Sequence, residues 1–164
     1  MLIRTATLED LDAVASVEAQ CFPEAEAATA EEFRERLTAY GDHFLLLFIG
    51  DELVSFVDGM VTDREDLEDI MYEDASIHDP DGKWQMIFGV NTIPGYRKKG
   101  YAGTLIRKMI ELAREQGRAG LVLTCKDELV SYYSCFGFVN EGRSDKSCHG
   151  GVIWNQMRLR FAPR

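Results

Sequence analysis

The sequence predicts a mixed α/β domain with helices packed on a central sheet, and three observations carry that expectation. A run with strand character, 85–93, breaks at Pro94 and Gly95 and passes through the basic turn Arg97-Lys98-Lys99-Gly100. It then becomes a helix with an apolar stripe at Ala102, Leu105, Ile106, Met109, Ile110 and Ala113. Gln116 and Gly117 close that helix and 120–125 follows as a strand of the buried type. Strand, helix and strand at this length form a βαβ unit, whose strands run parallel with a right-handed crossover. Around this unit the signals run β, α, α, β, β, an acidic segment, the unit itself, then α, β, β, without internal repeats. The 164 residues suffice for one domain, 1–164, with a substantial core.

The elements follow from local chemistry in chain order. Residues 2–6 form a short strand; Thr7 caps a helix with Leu8, Leu11, Val14 and Ala15 on its apolar face and Asp10 as an imperfect capping box. That helix runs out near Cys21, Phe22 and Pro23. After an Ala/Glu link, 24–28, Thr29 and Glu32 make a better capping box for a helix with Phe33, Leu37 and Tyr40 on one face, ended by Gly41. Two β-rich runs, 43–49 and 53–61, are joined by Gly50-Asp51-Glu52, a hairpin signal. Segment 62–83 holds nine acids against two bases and reads as a solvated acidic loop with a short helix near Leu67, Ile70 and Met71; part of it can also line the approach to a site and attract a cation. Beyond the βαβ unit, Asp127 caps a helix over 128–136 that Gly137 stops, 138–140 resumes as strand, and 141–151 is a polar loop. In the tail, Met157, Leu159 and Phe161 alternate with Arg158 and Arg160, as in a strand with one buried face.

Composition excludes several function classes. A formal charge of -10 lacks the basic footprint of a nucleic-acid binder. No apolar run approaches the ~20 residues of a membrane span, and the N-terminus leads straight into structure without a signal-peptide core, so a cytoplasmic protein is expected. Cys21, Cys125, Cys135 and Cys148 have no C-x-x-C spacing and read as reduced thiols; Cys125 or Cys135 as a nucleophile would need a base partner that the pattern does not supply. His43, His78 and His149 are dispersed, without metal-ligand spacing.

The basic turn is the chemically informative stretch. Between Arg97 and Lys108 lie five basic residues and no acid, a local reversal of the overall charge that suits a polyanionic ligand. The first turn of a helix carries backbone N–H groups without internal partners and a partial positive charge, and Gly100 permits close approach of an anion to them.

Together with the order of elements, Val90-Asn91-Thr92-Ile93-Pro94-Gly95-Tyr96-Arg97-Lys98-Lys99-Gly100-Tyr101-Ala102 resembles the acetyl-CoA-binding segment of the GNAT superfamily of N-acetyltransferases, whose loop reads Arg/Gln-x-x-Gly-x-Gly/Ala. The resemblance covers nearly the whole chain. Within that superfamily, the stretch from Leu123 through Tyr133 to Phe138 is similar to its equivalent in the arylalkylamine (serotonin) N-acetyltransferases. The resemblance implies a GNAT-like fold: a central mixed, mostly antiparallel sheet, a parallel βαβ pair at the cofactor site, and helices on both faces. It implies that backbone amides of Lys98, Lys99, Gly100, Tyr101, Ala102 and Gly103, with Arg97, hold the pyrophosphate of coenzyme A. Val90, Asn91 and Thr92 would run beside the pantetheine and orient the thioester, and Tyr133 would face the sulfur as general acid. The activity implied is acetyl transfer from acetyl-CoA to a primary amine, on a small molecule, by direct attack; a protein or peptide acceptor, or an acyl-CoA sensor of weak activity, are the rival readings. The oligomeric state is open, a homodimer included.

The chain departs from the arylalkylamine group at the strand before the loop, where two histidines are replaced by Met86 and Phe88. Neither can titrate, so the base lies elsewhere, is a water chain, or is not needed; His149, His78, Asp58, Glu73 and Asp74 are candidates. By the same resemblance the amine site forms between the first two helices and the thioester strand, at Phe22, Pro23, Glu24 and Glu26, with His149 from the late loop. Helix-end packing also explains Phe22 and Pro23, helix-dipole complementarity explains Glu24 and Glu26, and a lone loop histidine such as His149 is more often only solvated.

Overall fold

The computed structural model describes residues 1–162, apart from the side chain of His149. Strands β1 (Leu2–Thr5), β2 (Phe44–Ile49), β3 (Glu52–Asp58) and β6 (Gly89–Thr92) form an antiparallel sheet in the order β1-β2-β3-β6. Strands β4 (Val61–Thr62), β5 (Trp84–Ile87), β7 (Gly120–Cys125), β8 (Val139–Arg143) and β9 (Asn155–Arg160) form a second sheet in the order β4-β5-β7-β9-β8. Among the described residues only β5 and β7 are parallel, with Trp84 opposite Gly120 and Ile87 opposite Leu123, as the βαβ reading requires.

The helices are α1 (Leu11–Cys21), α2 (Ala30–Tyr40), α3 (Ile70–Glu73), α4 (Tyr101–Glu115) and α5 (Val130–Ser134). Both expected capping boxes form. Thr7 and Asp10 exchange bonds around a single 3-10 turn ahead of α1, and the Thr29 hydroxyl accepts from the Glu32 amide at 3.1 Å while Glu32 accepts from the Thr29 amide at 3.0 Å. Gly50, at φ 60°, makes the β2–β3 hairpin. α1 and α4 both pack on β3 and β6, and β3 is buried on both faces after Glu52, so the two helices cover opposite sides. Among the described residues no helix is long and apolar enough to cross a membrane.

Several expectations change. The run 53–61 is β3 and then, past Gly59, β4 of the other sheet, and β8 carries the strand expected at 138–140 on to Arg143. The run 85–93 is two strands that part at Phe88, β5 joining one sheet and β6 the other. The helix expected at 128–136 is a 3-10 turn followed by α5, because Asp127 does not cap it; the Asp127 carboxylate instead accepts from Asn155 Nδ2 at 2.6 Å. In β9, Arg158 is buried rather than exposed: it lies over the Trp84 ring and donates to Asp66 at 2.6 Å and to Glu141 at 2.9 Å. The acidic segment is correspondingly stitched down. Asp66 also takes Lys146 at 2.8 Å, Asp69 takes Ser147 at 2.9 Å, and Leu67 and Met71 are fully buried, so alternate acids serve as anchors while the chain between them fills the core.

The corner between β3 and β4 has no room for a side chain. A Cβ on Gly59 would stand 1.8 Å from the Met86 carbonyl oxygen, against backbone that cannot retreat without opening β5. Gly59→Ala should therefore lower the melting temperature by roughly 5–15 °C; an unchanged thermal unfolding curve by circular dichroism would contradict this packing.

Candidate functional site

The parting of β5 and β6 makes the site. β7 pairs with β5 only as far as Leu123, and β6 pairs with β3 on its other side, so Thr124 and Cys125 face β6 across a gap instead of a ladder. Along β6 the bonding alternates. The Ile93 amide donates to Val54 and the Asn91 carbonyl accepts from the Ser55 hydroxyl, both toward β3, which turns the backbone of Val90 and Thr92 toward the open edge. The Thr92 carbonyl on that edge is taken by Arg97 Nε at 2.9 Å and by Cys21 Sγ at 3.4 Å. Val90 is left as the strand residue whose N–H and C=O face the gap.

β6 leads into the basic turn. Pro94–Tyr96 is one 3-10 turn, Lys98 has φ 64° and Gly100 φ 83°, and two left-handed residues this close swing the chain sharply into α4. Lys98 is the one described non-glycine residue with positive φ. Gly100 is the N-cap of α4 and supplies no side-chain cap, and the first intrahelical bond of the turn is Thr104 N–H to the Gly100 carbonyl at 3.0 Å. The amides of Tyr101, Ala102 and Gly103 are therefore open, with no acid in the first turn. A Cβ on Gly100 would meet no protein atom within 4 Å, so the space over this turn is free for a ligand. The arrangement is an anion cradle of backbone donors with Lys98 and Lys99 at its rim.

At the other end of β6 lies a cavity of about 100 Å³ whose walls include Phe22, Phe88, Leu129, Tyr133 and Trp154. The Tyr133 ring is edge-on to Tyr132 and Phe138, its residue is 7% exposed, and burial raises its phenol above the usual tyrosine range, so it holds its proton. Beside the cavity is a buried charge cluster. Arg36 donates to Asp58 Oδ2 at 3.2 Å and to the Tyr72 carbonyl at 3.0 Å, with its guanidinium 5.2 Å from the ring centroids of Phe33 and Phe88. Glu18, from α1, accepts the Ala28 amide on Oε2 at 2.9 Å and has no hydrogen-bond partner on Oε1. Burial, then the charge of Asp58, push the Glu18 carboxyl up to about 7, while burial pushes Asp58 up to about 6 against the pull of Arg36. Glu26 and Lys126 close the cavity from outside with an ion pair of 2.8 Å, and Gly150 in the late loop packs on Ala25 and Glu26.

A family model for the acetyltransferase (GNAT) family matches residues 11–138, most of the chain and all of this geometry except Trp154 and the late loop. The chain belongs to that family. Solved structures agree on the fold. It is similar to the GphF GNAT-like decarboxylase in complex with isobutyryl-CoA, at a TM-score of 0.83 and 19% identity over 98% of this chain and 99% of that one. It is similar to the ribosomal-protein-S18-alanine N-acetyltransferase from Escherichia coli, at 0.73 and 16% over 99% and 95%. It is similar also to the PaiA N-acetyltransferase from Thermoplasma acidophilum in complex with coenzyme A, at 0.72 and 15% over 98% and 98%.

The residues expected of a GNAT site fall unevenly around the cleft. Val90, Tyr133 and Phe22 line the cavity, whereas Lys98, Lys99, Gly100, Tyr101, Ala102 and Gly103 form the cradle. Asn91 turns its backbone to β3, so only its side chain reaches the cluster, where both amide atoms lack hydrogen-bond partners. The Arg97 side chain is folded back on Thr92 and holds the turn to the strand. Pro23 and Glu24 are exposed and off the cavity wall, since the Pro23 carbonyl starts a turn that accepts the Glu26 and Ala27 amides at 2.9 Å. Glu26 is buried in its pair with Lys126 and is not free to meet a substrate cation.

The base candidates thin out in the same way. His78 accepts the Val61 amide at 3.0 Å beneath Tyr40 and His43, and burial lowers it to about 4; Glu73 is exposed, and Asp74 caps Ser76. The side chain of His149 lies outside the described residues. Cys125 lines the cavity, but burial pushes its thiol up to about 11, the opposite of an activated nucleophile. Glu18, Arg36 and Tyr72 were not singled out in the sequence. The signal for the first two was a charge at a core spacing: Glu18 falls four residues after Val14, and Arg36 three after Phe33, both on the buried stripe.

The raised Glu18 carboxyl has a stability consequence of fixed sign. A folded-state value above the unfolded one favours the fold below the unfolded value, near 4.5, and the benefit is lost as pH rises through about 7. Glu18→Gln should then stabilise the protein relative to wild type by about 1–3 kcal/mol more at pH 8 than at pH 5. Urea unfolding at the two pH values measures this, and an equal difference at both would contradict the buried, unpaired carboxylate.

Proposed function

We propose that the chain is an N-acetyltransferase that moves the acetyl group of acetyl-CoA to a primary amine on a small molecule, by direct attack with both substrates bound. One observation carries this reading: β6 joins an open anion cradle at the start of α4 to an acid-bearing cavity lined by Tyr133, along the edge left by the parted sheets. The cradle suits the pyrophosphate of coenzyme A, and the free edge of Val90 suits the pantetheine and thioester. Coenzyme A and isobutyryl-CoA in the similar structures support an acyl-CoA as donor.

In this reading the cradle amides bind and orient the donor, and the Val90 N–H, facing the gap, polarises the thioester carbonyl. Tyr133 keeps its proton until the sulfur leaves, which is what burial of its phenol favours. Phe22, Leu129 and Trp154 exclude water from the acceptor end. A small acceptor is favoured over a polypeptide because the Glu26–Lys126 pair and the Gly150 turn roof that end, and a folded protein tail would have to displace both. The Escherichia coli neighbour named for a ribosomal protein makes a peptide acceptor the reading to beat.

Release of free coenzyme A thiol from acetyl-CoA, run against small amines and basic peptides, tests the reaction; faster turnover of peptides than of any small amine would overturn the acceptor class. Tyr133→Phe should lower kcat by roughly 10²–10⁴ with the acetyl-CoA Kd unchanged, and a change within about twofold would remove Tyr133 from the chemistry. Gly100→Val should weaken acetyl-CoA binding at least about tenfold by calorimetry, because φ 83° strains any branched residue and the side chain would fill the space over the open amides. Unaltered binding would refute the cradle.

A further inference from the structure

We propose that Glu18 is the base of the acceptor site: its Oε1 binds the ammonium of a small, unbranched primary amine and takes the proton that must leave before attack. This rests on the acetyltransferase reading above and deepens it by naming the proton acceptor and the shape of the substrate.

Glu18 occupies a position that packing alone would give to an apolar residue. It follows Val14 and Val17 on the buried stripe of α1 and is 6% exposed. One oxygen has a structural task, since Oε2 accepts the Ala28 amide at 2.9 Å and holds the start of the link to α2. That task leaves Oε1 for another: it is buried, belongs to the cavity wall, and makes no well-formed hydrogen bond, the neutral side-chain amide of Asn91 being the polar group that pulls on it from β6. A buried carboxylate oxygen without a donor is costly enough that folds rarely keep one without use.

The charge count around it is short by one cation. Arg36 from α2 donates through its two terminal nitrogens to Asp58 of β3 and to the Tyr72 carbonyl, its Nε making no hydrogen bond, and Lys126 after β7 is committed to Glu26. The other titratable groups facing the cavity, Tyr72 from α3, Cys125 from β7 and Tyr133 from α5, are all held neutral by burial, and β6 offers only the neutral amide of Asn91. Cys21, on the Glu18 helix, is likewise raised by burial. Asp58 also has a buried oxygen without a partner, Oδ1, but its Oδ2 is bound to Arg36 and the residue does not line the cavity. Glu18 is thus the carboxylate that an entering ammonium can reach, and burial together with Asp58 sets it to exchange a proton near neutral pH. The cavity is about 100 Å³ and walled by Phe22, Phe88, Leu129 and Trp154, which suits a slim alkyl stem.

The proton balance closes. The ammonium gives one proton to Glu18, and the neutral nitrogen forms its bond to the acetyl carbon. The carbon–sulfur bond breaks and the sulfur takes the Tyr133 proton. The second proton lost by nitrogen restores the tyrosine, and the proton on Glu18 leaves to solvent after the amide is released.

The test compares ethylamine with the much less basic 2,2,2-trifluoroethylamine, with acetyl-CoA as donor, in wild type and Glu18→Gln. The glutamine keeps an oxygen for the Ala28 amide, and acetyl-CoA binding by calorimetry should not change. In wild type, kcat/KM for ethylamine should level off above about pH 7; in Glu18→Gln it should go on rising with the fraction of free amine, and at pH 7 it should be roughly 10²–10⁴ lower. The loss with trifluoroethylamine, already neutral at that pH, should stay below about tenfold. A merely structural role would lower both amines alike, and that result, or an unchanged pH profile, overturns the proposal. The wild-type profile alone is a second check that needs no variant, because a rate rising without a plateau also overturns it. If acetyl-CoA binds but ethylamine is not acetylated, the acceptor assignment fails while the donor site stands. If acetyl-CoA does not bind, the underlying acetyltransferase reading fails instead.

Discussion

The structure depends on one constraint: a single stretch of chain, 84–92, must serve two sheets. β5 pairs in parallel with β7 and β6 pairs antiparallel with β3, and the chain changes allegiance at Phe88, whose amide donates to the Asp58 carbonyl at 2.7 Å. Gly59 and Gly89 make the change sterically possible, since a Cβ at the first would strike the Met86 carbonyl and one at the second would crowd the Asp58 and Asn91 side chains. Everything that reads as function sits in the wedge so formed: the free backbone edge of Val90, the end of β7 that is paired only with β9, and the cavity between α1, α3 and α5.

The wedge also explains why so much charge is buried. Backbone and side chains at its apex cannot be covered by a continuous ladder, and Arg36, Asp58 and Glu18 occupy the space that two packed strands would otherwise fill. Arg36 spans it, bonded on one side to β3 and on the other to the carbonyl of Tyr72, with aromatic rings over its face. Such a cluster costs stability relative to apolar packing unless every group is satisfied. On the proposed assignment, the unsatisfied oxygen of Glu18 is where stability is given up for chemistry, as expected where local rules break at a working site.

Much of the fold was legible because local signals and tertiary packing agreed. The capping boxes at Thr7 and Thr29, the Gly50 hairpin and the amphipathic α4 each follow from a few neighbouring residues, and each forms. The parallel pair was legible from connection length alone. Long-range features were not. The division of 84–92 depends on which partner each half meets, something its continuous β-character cannot express. Arg158 looked like a solvent-facing residue by alternation, but its ion pairs with Asp66 and Glu141 come from segments ninety-two and seventeen positions away. In the candidate site, the proposed donor side could be picked out because a glycine turn with basic neighbours is a contiguous motif. The proposed acceptor side is assembled from α1, α2, α3, β6, β7 and α5, and its most telling residue is a glutamate singled out by what does not bond to it. Resemblance placed attention on Pro23 and Glu24, which the turn at Pro23 directs outward.

Amide hydrogen exchange with and without acetyl-CoA tests most directly whether the parted edge is the donor site. If β6 and the start of α4 hold the donor, exchange at Val90 and at Tyr101, Ala102 and Gly103 should slow by at least about tenfold on addition of acetyl-CoA, while Asn91, already turned to β3, changes little. Binding of acetyl-CoA without protection at those amides would contradict the assignment, most clearly if protection appeared instead around the basic groove of Lys83, Arg114, Arg118 and Arg160.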